Sequence, residues 1–146
     1  RTRGIGEQME ALSCGRDYPL VIVQPCRGLS TRDVFQAYHE RPGQARPNTD
    51  QAVEALKTGD LSLLRRSLSN VLEPVSARMR PEISQAVRRL KENGAEAALM
   101  TGSGSAVFGV FRTPARARSA FLSLSHGWRT VFLARTCQES LRIIAE

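Results

Sequence analysis

The segment that most restricts the folds open to this chain runs from 98 to 111 and reads ALMTGSGSAVFGVF. Two apolar stretches flank the small, flexible core TGSGS, and such stretches on either side of a glycine- and serine-rich turn predict a β-hairpin. The residues before Gly94 follow a helical period, so the pattern changes from helix to strand at this point. The hairpin therefore predicts a sheet in a chain that also carries helices.

Three further strands are predicted around the hairpin. The run DYPLVIVQP, bounded by Asp17 and Pro25, predicts a buried strand at about residues 19–24. The run WRTVFLAR predicts a closing strand, and EQMEALS near the start predicts an additional edge strand.

Capping residues and apolar spacing predict the helices. After the hairpin, TPARARSAFLSLSHG predicts a helix with Pro114 near its start and Gly127 beyond its end. Four more are predicted before the hairpin: from Ser30 or Thr31 to Tyr38, from Asn48 to Gly59, from Asp60 to a stop at Pro74, and from Pro81 to Asn93.

The resulting order of elements is strand, helices, strand, strand, helix, strand. This is the split β-α-β order of a ferredoxin-like sandwich, an α+β fold in which helices cover one face of an antiparallel sheet. The additional helices are inserted in the first crossover. With 146 residues, the chain has about the length of one domain and can bury a core of its own.

Nineteen arginines and two lysines against fourteen acids give a formal charge of +7. Such a surface suits anionic partners, nucleic acids and nucleotide phosphates alike, and it is equally compatible with a solvated basic face. The three cysteines (Cys14, Cys26 and Cys137) are odd in number and form no C-x-x-C pair, which favours a reducing cytoplasm. No apolar run approaches the roughly 20 residues that span a bilayer, and the absence of an initial methionine suggests a piece of a longer chain.

The run TGSGS allows two interpretations. A hairpin needs only one or two glycines, whereas Thr101, Ser103 and Ser105 here alternate with Gly102 and Gly104. Glycines permit close approach of the backbone, and hydroxyl and N–H groups together can form an anion-accepting concavity. No G-K-[ST] follows and the run leads into a strand, so it is neither a Walker A loop nor a dinucleotide-binding fingerprint.

The stretch LMTGSGSAVFGVF resembles the third signature of the GHMP kinases, the superfamily named for galactokinase, homoserine kinase, mevalonate kinase and phosphomevalonate kinase. Four further stretches resemble, in the same order, the branch that phosphorylates 4-diphosphocytidyl-2-C-methyl-D-erythritol: IGEQMEAL, LVIVQPCRGLSTRDVFQAY, NVLEPV and GWRTVFLAR. The family's ATP phosphate loop and its lysine and aspartate lie in an N-terminal half that is absent here. The resemblance thus identifies residues 1–146 as a GHMP kinase C-terminal domain.

The resemblance also implies a function for the whole enzyme: phosphorylation with ATP and Mg²⁺ in non-mevalonate isoprenoid synthesis. The run Thr101, Gly102, Ser103, Gly104 and Ser105 would support the missing phosphate loop, and Phe35 would stack on the cytosine of the substrate. Because Val34, Phe35 and Tyr38 have helical spacing, a core position for Phe35 is the alternative. We expect no catalytic residue, no metal ligand and no tightly bound cofactor in this chain, and no activity from it alone.

Other conspicuous residues are assigned structural roles. Asn70 is expected to make a turn or cap contact and Glu73 to be a surface acid at a helix end. His39 and His126 are expected at helix ends, Cys26 is expected to be inert, and Trp128 is expected to start the last strand within the core.

Two other functions remain open from the sequence. The chain could belong to another GHMP kinase, of the homoserine or mevalonate type, or it could be a basic ferredoxin-like module that binds RNA through Phe108 and Phe111. The stretch SAVFGVF lacks the basic residue of the RNA-recognition signature, so nucleic acid is the less favoured partner. Removal of the N-terminal half would expose apolar surface, which makes a homodimer compatible with the sequence.

Overall fold

The computed structural model describes residues 2–3, 7–39 and 47–137. Six helices and six strands lie in these ranges. The strands are β1 (Thr2–Arg3), β2 (Gln8–Met9), β3 (Pro19–Val23), β4 (Ala97–Met100), β5 (Val107–Val110) and β6 (Val131–Arg135). The helices are α1 (Thr31–His39), α2 (Thr49–Thr58), α3 (Leu61–Ser67), α4 (Glu73–Met79), α5 (Pro81–Glu92) and α6 (Pro114–Ser125).

Four strands form one antiparallel sheet in the order β4-β5-β3-β6. Register places Leu99 opposite Phe108, Phe108 opposite Ile22, and Ile22 opposite Phe132, so these four side chains share one face. Strands β3 and β4 are joined through helices with β5 between them, which is the split β-α-β connection. The predicted α+β, ferredoxin-like fold is therefore confirmed.

The main core lies on the face that carries Val21 and Val23 of β3 and Val107 of β5. Helices α5 and α6 cover this face. Ile83 and Leu90 of α5 are fully buried in this core. The amphipathic spacing of α5 explains this placement, because its apolar positions recur every three or four residues.

A second, smaller core lies on the opposite face. The inserted helices α2 and α3 pack Ala55, Leu61 and Leu64 against Tyr18 and Val110. Helices thus cover the first face as expected, while the inserted pair covers part of the other.

The Tyr18 hydroxyl donates a hydrogen bond to the Ala55 carbonyl at 3.3 Å, and burial raises the pKa of this hydroxyl above its ordinary value.

Capping contacts begin four of the helices, three of them at predicted residues: Ser30 accepts a hydrogen bond from the Asp33 N–H at 3.3 Å, and Asn48 and Asp60 cap the next two helices. Asn48 accepts a hydrogen bond from the Gln51 N–H, and Asp60 accepts two from Ser62 and Leu63. Thr113 accepts one from Arg116, with Pro114 in the first turn of α6. Each cap satisfies N–H groups that have no partner inside the helix.

Two local predictions are wrong. Pro74 does not end the third helix: α3 ends at Ser67, and Pro74 lies in the first turn of α4, where its missing N–H costs nothing. The stretch EQMEALS does not extend the main sheet, because its only strand, Gln8–Met9, pairs with Thr2–Arg3 in a separate two-stranded ladder. Within the described ranges, no helix combines the length and apolar character required to cross a membrane.

Candidate functional site

The TGSGS run connects β4 to β5 at the end of the sheet where β3 ends and β6 begins. The Thr101 N–H donates to the Ala106 carbonyl at 2.9 Å and the Gly104 N–H donates to the Thr101 carbonyl at 3.1 Å. The run is therefore a closed turn on top of the hairpin, as predicted. The N–H groups of Gly102 and Ser103, by contrast, donate to no acceptor in the described part of the chain.

Both glycines of the run have left-handed backbone conformations, with φ of +57° at Gly102 and +92° at Gly104. A Cβ at Gly104 would lie 2.7 Å from the Met100 sulfur and 3.2 Å from Leu29 Cδ1, whereas a Cβ at Gly102 would meet nothing within 4 Å. Gly104 thus lets the loop pack closely on the core, and Gly102 provides the left-handed backbone conformation at the exposed tip.

Three hydroxyl contacts join the loop to other parts of the fold. Ser105, which is almost fully buried, donates to the Cys26 carbonyl, and the fully buried Ser76 of α4 donates to the Ser103 carbonyl at 2.9 Å. The hydroxyls of Ser103 and Thr31 lie 2.9 Å apart at the exposed start of α1. Ser105 is therefore a structural anchor, while Thr101 and Ser103 lie on the outer side of the loop.

Asn70 and Glu73 also hold this loop, and for Glu73 the sequence-based expectation is wrong. Its side chain is not a free surface acid, because Glu73 Oε2 accepts a hydrogen bond from the Met100 N–H at 2.7 Å. Asn70 makes the expected turn contact with the Leu72 N–H at 2.9 Å and also donates to the carbonyls of Met100 and Gly102. The stretch NVLEP signalled both residues, but no local pattern indicated their partners.

An open groove of about 450 Å³ lies directly beside the loop. Phe35 of α1 and Phe108 and Leu99 of the sheet form its apolar walls, and Asn70 and Gly102 lie at its end next to the loop. Phe35 is 45% exposed, so it is not a core residue. The structure therefore brings the predicted aromatic residue and the predicted loop to one surface.

The other residues singled out in the sequence make contacts that hold the fold together. The His39 ring lies 5.9 Å from that of Tyr38, between centroids, and His126 Nδ1 lies 2.7 Å from the Leu122 carbonyl. Trp128 packs against the main core but precedes β6, which begins at Val131. Cys26 holds the loop through its backbone carbonyl alone. Among the described residues, no group of three or more His, Cys, Asp or Glu side chains could bind a metal ion.

Comparison with known proteins shows similarity over the part of the chain that contains the TGSGS loop. The sequence model of the family described as "GHMP kinases C terminal" matches residues 52–130. A protein of Alkaliphilus metalliredigens named 4-diphosphocytidyl-2-C-methyl-D-erythritol kinase is 36% identical over 92% of this chain and 46% of its own length. The protein of that name in Moorella thermoacetica is 36% identical, with 92% and 48% covered. The chain thus spans about half the length of the curated relatives it matches.

Solved structures show the same similarity. A crystal structure of 4-(cytidine 5'-diphospho)-2C-methyl-D-erythritol kinase superimposes with a TM-score of 0.73 and 30% identity, over 92% of this chain and 48% of that one. Homoserine kinase from Cytophaga hutchinsonii shares the fold at a TM-score of 0.67 and 18% identity, over 86% and 43%. Since the family match covers more than half of the chain and includes the TGSGS loop, this chain belongs to the GHMP kinases and corresponds to their C-terminal part.

Proposed function

We propose that this chain is the C-terminal domain of an ATP-dependent kinase that phosphorylates the cytidine-containing alcohol 4-diphosphocytidyl-2-C-methyl-D-erythritol. The observation that carries the proposal is the adjacency of the TGSGS loop to an aromatic groove. A substrate with a nucleobase and a reacting hydroxyl needs both features, one for recognition and one near the transferred phosphate. The names of the relatives that cover 92% of the chain support the same substrate.

In the proposed reaction, the substrate hydroxyl oxygen forms a bond to the γ-phosphorus of ATP while the bond from that phosphorus to the ADP oxygen breaks. The hydroxyl proton passes to a base, which we assign to the N-terminal half. Phosphoryl transfer depends on alignment and charge stabilisation more than on covalent participation of the protein. The role we assign to this chain is positional: the N–H groups of Gly102 and Ser103, which donate to no acceptor in the described part of the chain, support a phosphate loop supplied by the other half.

We assign cytosine recognition to Phe35. Its exposed ring on α1 faces a groove whose other walls, Leu99 and Phe108, are apolar. A planar base that enters this groove can stack on the ring, an interaction worth roughly 1–3 kcal/mol. The base would then hold the substrate in the groove, beside the TGSGS loop.

Mg²⁺ would neutralise the phosphate charge during transfer. The described residues contain no cluster of three ligands, so we assign the protein ligands of the ion to the N-terminal half. We further propose a cytoplasmic location, which suits three cysteines that form no disulfide among the described residues: Cys14, Cys26 and Cys137. ATP and the alcohol are the proposed partners of the whole enzyme.

RNA binding is less well supported by the geometry. Phe111, one of the two aromatic residues available for stacking, is fully buried in the main core, and Phe108 packs against the second core. RNA-binding sheets of this fold stack bases on several exposed aromatic faces. Of these two residues only Phe108, which is partly buried and lines the groove, could contact a base.

A phosphotransfer assay tests the proposal. The chain alone and a full-length protein that restores an N-terminal half would each be supplied with ATP, Mg²⁺ and 4-diphosphocytidyl-2-C-methyl-D-erythritol. We expect product only from the full-length protein. Turnover of homoserine or mevalonate in place of the cytidine alcohol would assign the chain to another kinase of the family, and turnover by the chain alone would contradict the division of roles.

Replacing Phe35 tests the proposed stacking. We expect Phe35→Ala in the full-length enzyme to raise the KM for the cytidine alcohol about tenfold, since the ring contact is lost, and to leave the KM for ATP unchanged. Phe35→Tyr retains a stacking face and should preserve both constants. Phe132→Ala is a matched control, because Phe132 is 58% exposed and lies outside the groove. An unchanged KM in Phe35→Ala would remove the assignment.

A further inference from the structure

We infer that Asn70 and Glu73 are positioning residues that hold the end of β4 and the TGSGS loop in one arrangement relative to the aromatic groove. Neither side chain is placed to react with a substrate, and each acts through the backbone it binds. The effect on catalysis rests on the proposed kinase function. The hydrogen-bonded arrangement itself does not, and it can be measured separately.

Both ends of the Asn70 amide bind backbone groups. Its Nδ2 donates to the Met100 carbonyl at 2.8 Å and to the Gly102 carbonyl at 2.9 Å, and its Oδ1 accepts from the Leu72 N–H at 2.9 Å. An amide has two N–H donors and one carbonyl oxygen, so one side chain satisfies three backbone groups in two segments. An aspartate of the same shape offers no N–H donor and would place a negative charge against two carbonyl oxygens.

Glu73 completes the attachment at the same residue of β4. The Met100 N–H donates to Glu73 Oε2 at 2.7 Å, while the Met100 carbonyl accepts from Asn70. Because β4 forms an edge of the described sheet, its outward peptide groups lack a neighbouring strand. The two side chains take the place of that strand where β4 passes into the loop, and a bond to a charged carboxylate is stronger than a neutral one.

The segment from 70 to 76 contacts both functional surfaces. Asn70, Val71 and Leu72 line the groove beside Phe35. Six residues after Asn70, the buried Ser76 holds the Ser103 carbonyl. One segment therefore contacts both the groove that would hold the substrate base and the loop that would lie near the phosphate. This segment sets the distance between the two. Displacement of a reacting group by about 1 Å can reduce turnover by about 10²-fold.

The experiment uses the full-length enzyme with four variants. We expect Asn70→Asp and Glu73→Ala to lower kcat for phosphotransfer by about 10²-fold, with a much smaller change in the KM for the cytidine alcohol, because stacking of the base is assigned to Phe35, which neither substitution alters. Glu73→Gln keeps an oxygen acceptor for the Met100 N–H and should retain most of the activity. Asn48→Asp is the matched control: it makes the same chemical change at a helix cap that an aspartate serves equally well.

Amide hydrogen exchange of the same proteins supplies the second readout. We expect faster exchange at Met100 in Glu73→Ala and at the hydrogen-bonded N–H groups of Thr101 and Gly104 in Asn70→Asp, and no change at these three positions in Asn48→Asp. If the wild-type enzyme does not turn over the cytidine alcohol, the proposed function fails, and exchange still decides whether the two residues hold the loop. Unchanged exchange in Asn70→Asp would overturn the inference. Faster exchange with full kcat in an active enzyme would overturn the positioning role.

Discussion

Gly104 combines two demands that only a residue without a side chain meets. Its φ of +92° lies in the left-handed region, and the space where a Cβ would stand is taken by the Met100 sulfur and Leu29. Gly102 shares the backbone demand, with φ of +57°, but has open space around it. Both positions therefore require a left-handed backbone, but only Gly104 also lacks the space for a side chain.

Alanine substitutions at these glycines should differ in cost. We expect Gly104→Ala to lower the free energy of unfolding by about 2 kcal/mol or more, because backbone strain adds to displacement of the buried Met100 side chain. Gly102→Ala should cost only about 1 kcal/mol, from the backbone alone. Chemical denaturation of both variants measures the difference. Equal losses would show that the core accommodates the new methyl group without displacement.

At the scale of elements, α2 and α3 form a tight helical pair. Gly59 ends α2 in a left-handed conformation with φ of 73°, and the next residue, Asp60, begins α3 by accepting hydrogen bonds from Ser62 and Leu63. The hydrogen bond from the Leu63 N–H, followed by that from Ser62, lowers the pKa of the Asp60 carboxyl below its ordinary value of 3.8. A charged cap at a helix start is also favoured by the helix dipole.

The stability that Asp60 contributes should therefore depend on pH. A carboxyl whose pKa is lower in the folded state contributes fully above about pH 4, and its contribution is lost as pH falls through the folded pKa. We expect the wild-type chain to lose free energy of unfolding more steeply than Asp60→Asn below pH 4, since asparagine caps without titrating. Denaturation curves at several pH values provide the comparison. An NMR titration midpoint for Asp60 at or above 3.8 would contradict the prediction.

At the scale of the whole molecule, the strand at the β6 edge of the described sheet is unusually apolar. Phe132 is 58% exposed and Leu133 is 45% exposed, on opposite faces of β6. Edge strands of this kind can pair with other chains. The formal charge of +7 opposes such association, since copies of the chain repel one another at low salt.

We expect the isolated chain to self-associate with increasing concentration, and more strongly at high salt, which screens the repulsion. Sedimentation velocity over a concentration series measures the association. Phe132→Lys should weaken it by placing a charge on the edge strand, while Leu122→Lys, at a 52% exposed position on α6, should not. A single monomeric species at every concentration and salt level would contradict the prediction.

The sequence by itself determined the elements whose signals are local. The caps at Asn48 and Asp60, the apolar run of β3 and the hairpin around TGSGS are visible within a few residues, because capping and strand periodicity act over such distances. The α+β fold follows from the order of these elements. The family resemblance of the TGSGS stretch was likewise contained in the residues and agrees with the family match.

Only the tertiary structure decided how distant segments meet. Asn70 and Met100 are 30 positions apart, and Glu73 and Met100 are 27 apart, so no local rule assigns these side chains to the end of β4. Packing likewise decided that α2 and α3 cover the second face and that Phe35 lines an open groove. Proline can end one helix or begin the next, and the turn formed by Asn70 placed Pro74 at the start of α4. Local propensity selects elements, whereas burial and the pairing of backbone groups across the fold select their partners.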